Sequence, residues 1–365
     1  MREIREFLWT KETYPIKDGG SFLPNIVGYL HEDGGFHPAV LVVPGGGYFV
    51  VSPTESRLVA DKFYEAGYHT FILTYTVNCG DMRNFLNLPI APLGTQPLTD
   101  ISRAISCIRV HAQEWHVDCS HVAACGFSAG AHLTASLAVH YHQSFLQDDL
   151  VSYLALLSSS FVQNDITDSA MQYLNRPDAV ILSYPVITAD SRFWHEGSIK
   201  SLTGPEPTEE QLDFYSLEKQ VTPDTPPVFL WHTITDDAVP VENSLLFMQS
   251  CRNAKVPCEL HLFPQGAHGL SAADDIWQNA EFGKGSELCM EPFFAMLKAA
   301  ALHSPEQVPA SAAPLLAHDL TYFVSHWDEI YDAFRGFSFP CVRQKDDAVA
   351  KWPELAMLFL KRFGF

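Results

Sequence analysis

The sequence predicts an α/β fold: a mainly parallel central sheet with helices on both faces, plus a helical insertion before the last helix. One observation is alternation. Short runs that are almost wholly apolar, at 39–43, 70–77, 122–125, 179–184 and 228–232, are separated by segments of helical periodicity. Strands apolar on both faces belong in parallel sheets covered above and below. The second observation is how the runs end. Three of them lead into polar or glycine-rich loops: Pro44-Gly45-Gly46-Gly47, Gly126-Phe127-Ser128-Ala129-Gly130 and Thr235-Asp236-Asp237. In open α/β sheets the functional groups gather outside the carboxyl ends of the strands.

Taken in order, 26–31 reads as a first strand, closed by the turn Asp33-Gly34-Gly35, and 39–43 as the next. A helix follows, with Ser52 as N-cap, Pro53 in the first turn and Glu55 closing a capping box. Leu58, Val59, Phe63 and Tyr64 give it an apolar face, and Gly67 stops it. After the strand at 70–77 and a loop at 78–94, the stretch 97–115 is helical, with Ile101, Ile105, Ile108 and Ala112 in register. The strand at 122–125 runs into the Gly126–Gly130 turn and a helix to about Tyr141. Strands at 179–184, 228–232 and 259–263 complete the sheet, with a helix over 242–253. The segment 271–345 reads as inserted between parts of one domain, 1–270 and 346–365. It carries a helix with Met290, Phe293, Phe294 and Leu297 on one face, a Pro/Ala-rich stretch at 304–314, and a second helix with Phe323, Trp327, Ile330, Tyr331 and Phe334. So much aromatic surface must cover a pocket, pack on the body or meet another subunit in a homo-oligomer. Trp352, Leu355, Ala356, Phe359, Leu360 and Phe363 form the stripe of a last helix that belongs to the main fold.

Composition narrows the function. With 23 Lys and Arg against 43 Asp and Glu the net charge is -20, which repels phosphate backbones and anionic membranes; neither nucleic acid nor membrane is an expected partner. The opening Met1-Arg2-Glu3-Ile4-Arg5-Glu6 has no apolar core of a signal peptide, so a cytoplasmic location is expected. Eight cysteines lack C-x-x-C pairs, and Cys107, Cys125 and Cys251 sit in apolar patterns, as buried thiols do. Sixteen histidines form no H-E-x-x-H or similar cluster, so no metal or cofactor is expected.

The chemistry centres on Ser128. A nucleophilic serine must stand on a turn so tight that its neighbours two before and two after cannot carry side chains, and Gly126 and Gly130 meet that need. A helix begins at once, so free amides and the positive dipole end face a developing oxyanion. A serine of this kind needs a histidine base and an orienting carboxylate, here in the order serine, acid, histidine. His268 stands in the loop after the strand at 259–263. Asp236, four before Pro240, is the acid, with Asp237 the rival. Gly46 and Gly47, with the amide of Ala129, are the candidate oxyanion donors, and Tyr48 either lines the pocket or packs beside the loop. His132, one turn beyond Ser128, reads as buried and structural; His195 is a weaker candidate for contact with a sugar.

These motifs together resemble the acetyl esterase and xylan-esterase-like branch of the α/β-hydrolases. The resemblance is carried by P-G-G-G-Y from Pro44, S-x-x-E from Ser52, A-G-Y-H-T-F-I-L-T-Y from Ala66 and G-F-S-A-G-A-H from Gly126. It continues in R-P-D-A-V-I-L-S-Y-P-V-I from Arg176, W-H-T-I-T-D-D-A-V-P-V-E-N-S from Trp231 and F-P-Q-G-A-H-G-L from Phe263. The resemblance implies an α/β-hydrolase fold and hydrolysis of short acyl esters, often acetyl groups on sugars, through an acyl-enzyme without a metal. By motif, Ser128, Asp236 and His268 take the triad roles. A feruloyl esterase, an arylformamidase or a small peptidase would use the same parts, and a binding protein that kept the fold is the non-enzymatic alternative. The inserted segment is longer than that pattern, which leaves substrate size open.

Overall fold

The computed structural model describes residues 1–16, 21–80, 83, 86, 88, 90–157, 173–281, 283–326 and 343–365. Among the described residues eight strands, β1 (Arg2–Phe7), β2 (Asn25–Leu30), β3 (His37–Val43), β4 (His69–Thr74), β5 (Val117–Phe127), β6 (Ala179–Ser183), β7 (Val228–Thr233) and β8 (Cys258–Phe263), form one sheet. Their order is β1-β2-β4-β3-β5-β6-β7-β8. β1 pairs antiparallel with β2 and β2 with β4; from β4 to β8 every pair is parallel. β4, β6 and β7 are buried along their whole length, as strands covered on both faces must be. β1 was not anticipated: its run R-E-I-R-E-F is charged at four of six positions. In the structure those charges suit an edge strand, where charge discourages further pairing.

Helices Arg57–Glu65, Gln96–Val110, Ala129–His140 and Glu242–Ala254 stand where periodicity places them. The stretch expected as one helix to Trp115 breaks after Val110 and ends at His116, which takes a left-handed conformation with φ 55°. Helices Ser144–Leu156 and Glu196–Thr203 were not anticipated. The capping box at Ser52 does not form. Pro53–Glu55 is a single 3-10 turn without a side-chain cap, and Glu55 turns inward instead.

The last helix, Trp352–Lys361, joins the body through its first residue. Trp352 stacks on Trp231 at 5.6 Å, meets Phe127 edge-on at 5.7 Å and donates from Nε1 to the Ser271 carbonyl at 2.7 Å. One chain of aromatic rings thus links the last helix to β7 and to the end of β5.

The described residues of the segment before it pack in two places. Ala272, Ala273, Trp277 and Cys289 belong to the main core. A separate apolar cluster starts at Met290 and gathers Phe293, Phe294, Leu297, Leu316 and Phe323, with Cys79 and Leu86 from the loop after β4 and partly buried Val50. Phe294 and Phe323 lie 4.8 Å apart. Helix Glu291–His303 carries most of this face, and Phe323 lies on the short helix Leu320–Ser325. Trp327, Ile330, Tyr331 and Phe334 of the expected second helix fall outside the described residues. No helix among the described residues is long and apolar enough to cross a membrane.

Candidate active site

Four loops converge at the carboxyl ends of β3, β5, β7 and β8. At the end of β5, Ser128 has φ 52° and ψ -118°, a backbone conformation that costs about 1–3 kcal/mol and persists only when its surroundings enforce it. The enforcement is visible. A Cβ on Gly126 would lie 2.4 Å from the Gly130 carbonyl oxygen, and a Cβ on Gly130 would lie 2.2 Å from that of Val43. The strand end, the turn and the next helix are therefore packed backbone against backbone. Ser128 also donates its amide to the Ser183 carbonyl at 3.0 Å, which pins the turn to β6.

The Ser128 hydroxyl and His268 Nε2 are 2.8 Å apart, and His268 Nδ1 and Asp236 Oδ2 are 2.8 Å apart. The imidazole bridges the two: it accepts from the hydroxyl and donates to the carboxylate. The Asp236 side chain is 1% exposed. Its Oδ1 accepts the amides of Ala238 at 2.9 Å and Val239 at 2.8 Å, which explains a carboxylate at the head of a D-x-x-V loop. Burial works to raise its pKa, but hydrogen bonds from His232 and His268 outweigh burial and hold it well below the usual carboxylate range. Asp237, the rival for the acid, does not meet the imidazole. It is exposed, and its Oδ1 accepts the His268 amide at 2.9 Å, fixing the histidine loop by its backbone.

His232 was not singled out from the sequence. Fully buried at the end of β7, its Nε2 lies 3.0 Å from the Val239 carbonyl oxygen and 3.3 Å from Asp236 Oδ2. A carbonyl only accepts, so Nε2 carries the proton and Asp236 receives a second imidazole donor. Nδ1 then accepts from the Ser244 hydroxyl at 2.8 Å. The available signal was the spacing in His232-Thr233-Ile234-Thr235-Asp236, where a strand end and its loop bring positions four apart together.

In the loop after β3, Gly46 has φ 118° and Gly47 φ 64°. A Cβ on Gly46 would lie 2.2 Å from the Val50 carbonyl oxygen, so only glycine fits. The amides of Phe49 and Val50 turn back to the Gly46 carbonyl at 2.9 and 3.1 Å, while those of Gly46 and Gly47 meet no acceptor among the described residues. Ala129 opens its helix, where the first amides have no intrahelical partner. Gly45 presses this loop on Ser128: a Cβ there would lie 3.0 Å from that of Ser128.

Tyr48 does not line the site. It is 1% exposed, and its hydroxyl donates to His132 Nδ1 at 2.8 Å, so the ring packs beneath the loop. His132 donates its other nitrogen to the Tyr215 carbonyl at 3.3 Å, and burial pulls its pKa down to about 4. It is a neutral structural histidine. His195 caps helix Glu196–Thr203, accepting the Ser198 amide on Nδ1 at 3.3 Å. Burial and then the charge of His268 lower its pKa. Among the described residues no group of three or more His, Cys, Asp or Glu is placed to hold a metal ion.

A parallel sheet covered by helices, with serine, acid and histidine in that chain order on strand-end loops, is the α/β-hydrolase fold. The chain belongs to the BD-FAE family, whose model matches residues 29–250. It is 38% identical over 289 residues, 77% of this chain, to endo-1,4-beta-xylanase B of Butyrivibrio fibrisolvens. It is 28% identical over 237 residues, 64% of this chain, to the acetylxylan esterase of Xylanibacter ruminicola. The chain spans 41% of the length of each of these relatives. Among solved structures, an acetyl ester-xyloside bifunctional hydrolase from Caldicellulosiruptor lactoaceticus is similar at 32% identity and TM-score 0.61, covering 80% of this chain and 96% of that one.

Proposed function

We propose that this chain is a serine carboxylesterase that removes short acyl groups, acetyl groups on sugars or oligosaccharides first among them. The observation that carries the reading is the unbroken Asp236–His268–Ser128 hydrogen-bond chain, with its serine on a strained turn at the head of a helix. Ser128 Oγ attacks the ester carbonyl as His268 Nε2 takes its proton. The tetrahedral oxyanion lies against the amides of Gly46, Gly47 and Ala129. His268 returns the proton to the leaving alcohol as the carbon–oxygen bond to it breaks. Water, deprotonated by His268, then releases the acid from the acyl-enzyme. Asp236 holds the tautomer and stabilises the imidazolium. Amides preset for the oxyanion supply much of the rate in such chemistry, about 10²–10³ in kcat for a single donor.

The relatives named as an acetylxylan esterase and an acetyl ester-xyloside bifunctional hydrolase support an acetylated sugar as substrate. The net charge of -20 favours a neutral carbohydrate over an anionic one. The described cysteines are all free thiols, which fits a reducing compartment such as the cytoplasm. The cluster from Met290 to Phe323 packs on Val50, four residues past Gly46, so this segment would serve as a wall of the site.

The test is a comparison of p-nitrophenyl acetate, acetylated xylo-oligosaccharides, feruloyl esters and N-formylkynurenine. The reading expects acetate release from the first two. Turnover of feruloyl esters or formylkynurenine alone would move the substrate class, and no turnover of any would remove the enzyme assignment.

A further inference from the structure

Glu55 is 4% exposed and reaches two loops at once. Its Oε2 accepts the Gly45 amide at 2.7 Å, and its Oε1 accepts the Tyr184 hydroxyl at 2.6 Å. Gly45 opens the Gly46-Gly47 loop, and a Cβ on it would touch Glu55 Oε2 at 2.9 Å and Ser128 Cβ at 3.0 Å. The carboxylate therefore lies directly behind the loop and the nucleophile. On the other side, the Tyr184 ring meets the His268 imidazole edge-on, with centroids 5.0 Å apart. The Tyr184 hydroxyl also accepts the Ser271 amide at 3.0 Å, three residues after His268. Ser271 Oγ closes the circuit by donating to the Thr54 carbonyl at 2.6 Å, next to Glu55. Tyr184 holds φ 36° to make these contacts, a conformation a tyrosine adopts only when its surroundings require it.

The chemistry of the partners suits an anion. Both groups on Glu55 are donors, and an ionised carboxylate only accepts. Burial raises its pKa, while the bonds from Tyr184 and Gly45 and the charge of His268 oppose that rise.

We propose that Glu55 is a positioning residue for acyl transfer: it fixes the oxyanion loop through Gly45 and the histidine loop through Tyr184 and Ser271, so one side chain sets both against Ser128. This rests on the roles proposed above for Ser128, His268 and the Gly46-Gly47 loop. A group acting this way shapes the transition state more than the bound substrate, so its loss lowers kcat and leaves KM largely alone.

The test uses Glu55→Gln and Tyr184→Phe in the full chain. Glutamine keeps the shape but turns an NH2 group toward one of two donors. Phenylalanine keeps the ring on His268 and removes only the bridge. Active serines are counted by stoichiometric reaction with a fluorophosphonate, and kcat and KM for p-nitrophenyl acetate are expressed per counted serine. E55Q is expected to lower kcat by about 10- to 100-fold, with KM within about twofold, the size of a displacement near 1 Å at a reacting centre. Y184F is expected to lower it less, and the double variant to be little worse than E55Q, because both cut one path. If E55Q does not fold, Y184F decides alone, a lower kcat supporting the clamp and an unchanged one removing it. Wild-type kcat per counted serine, or loss seen only as fewer counted serines, overturns the clamp and leaves the esterase reading intact. A wild-type chain that neither reacts with the fluorophosphonate nor cleaves the ester overturns both.

Discussion

Replacing Gly130 by alanine should damage activity far more than stability. The added Cβ would stand 2.2 Å from the Val43 carbonyl oxygen and 2.3 Å from that of Pro44. Carbon–oxygen contacts settle near about 3.3–3.6 Å, so the helix head and the end of β3 must separate by about 1 Å. Both obstacles are backbone, with no flexible side chain to give way. Overpacking of this kind costs about 1–3 kcal/mol. At about 2.1 cal/mol/K per residue, 365 residues give an unfolding entropy of about 0.8 kcal/mol/K, so about 3 kcal/mol lowers Tm by only about 4 °C. The elements pushed apart are those that carry Ser128 and the Gly46-Gly47 loop, and a 1 Å error at a reacting centre costs about 10² in rate. Gly67→Ala is the control. Gly67 has φ 98° with nothing within 4 Å of a Cβ and precedes β4, at the opposite end of the sheet, so it tests backbone strain alone. Thermal melts and p-nitrophenyl acetate kinetics on both variants decide. G130A with wild-type kcat would refute the argument, as would G67A losing as much activity as G130A.

Asp236→Asn should lower kcat by about 10⁴, because His268 is then held in the wrong tautomer, whereas Asp237→Asn, which keeps an acceptor for the His268 amide, should stay within about tenfold; equal losses would contradict the roles given to the pair. Stability should fall on acidification. His69, His132 and His140 are held near about 4 chiefly by burial, so between about 6.5 and 4 the unfolded chain binds protons that the folded one refuses. Their contribution is complete above pH ~6.5 and lost as pH falls toward 4, at up to about 1.4 kcal/mol per pH unit for each histidine. Asp100, raised by burial to about 6, gives the opposite slope below that pH and offsets part of the loss. A Tm that does not change between pH 7 and 4.5 would show that these histidines are not buried neutral. Phe294→Ala, which opens the cluster behind Val50, should lower kcat/KM for acetylated xylo-oligosaccharides several-fold and leave p-nitrophenyl acetate nearly unchanged; parallel changes on both substrates would remove the segment as a wall of the site.

The parallel core was legible because its strands are buried on both faces and its helices carry strong periodicity. The loops bearing Ser128, Asp236 and His268 were legible because sharp turns and strand ends restrict which residues fit. What escaped depends on contacts between distant parts of the chain. Glu55 read as a local cap because S-x-x-E is a local pattern, yet its partners lie 10 and 129 residues away. His232 read as the end of a strand, since nothing in the local pattern says that Ser244 and Val239 fix its tautomer. Tyr48 follows Gly46 and Gly47 in sequence, but its positive φ of 64° turns the ring into the body. Trp277 and Cys289 pack into the main core, which no periodicity reveals.

The central claim is that Ser128 is the nucleophile, and covalent labelling tests it most directly. The chain is treated with a fluorophosphonate, digested, and the modified peptide sequenced by mass spectrometry while ester hydrolysis is followed in parallel. The account predicts one adduct per chain, on Ser128, with activity lost in proportion to labelling. It predicts no adduct in Ser128→Ala, whose kcat should be lower by about five to six orders of magnitude while the fold persists. An adduct on another residue, or Ser128→Ala that still turns over ester at the wild-type rate, would contradict it.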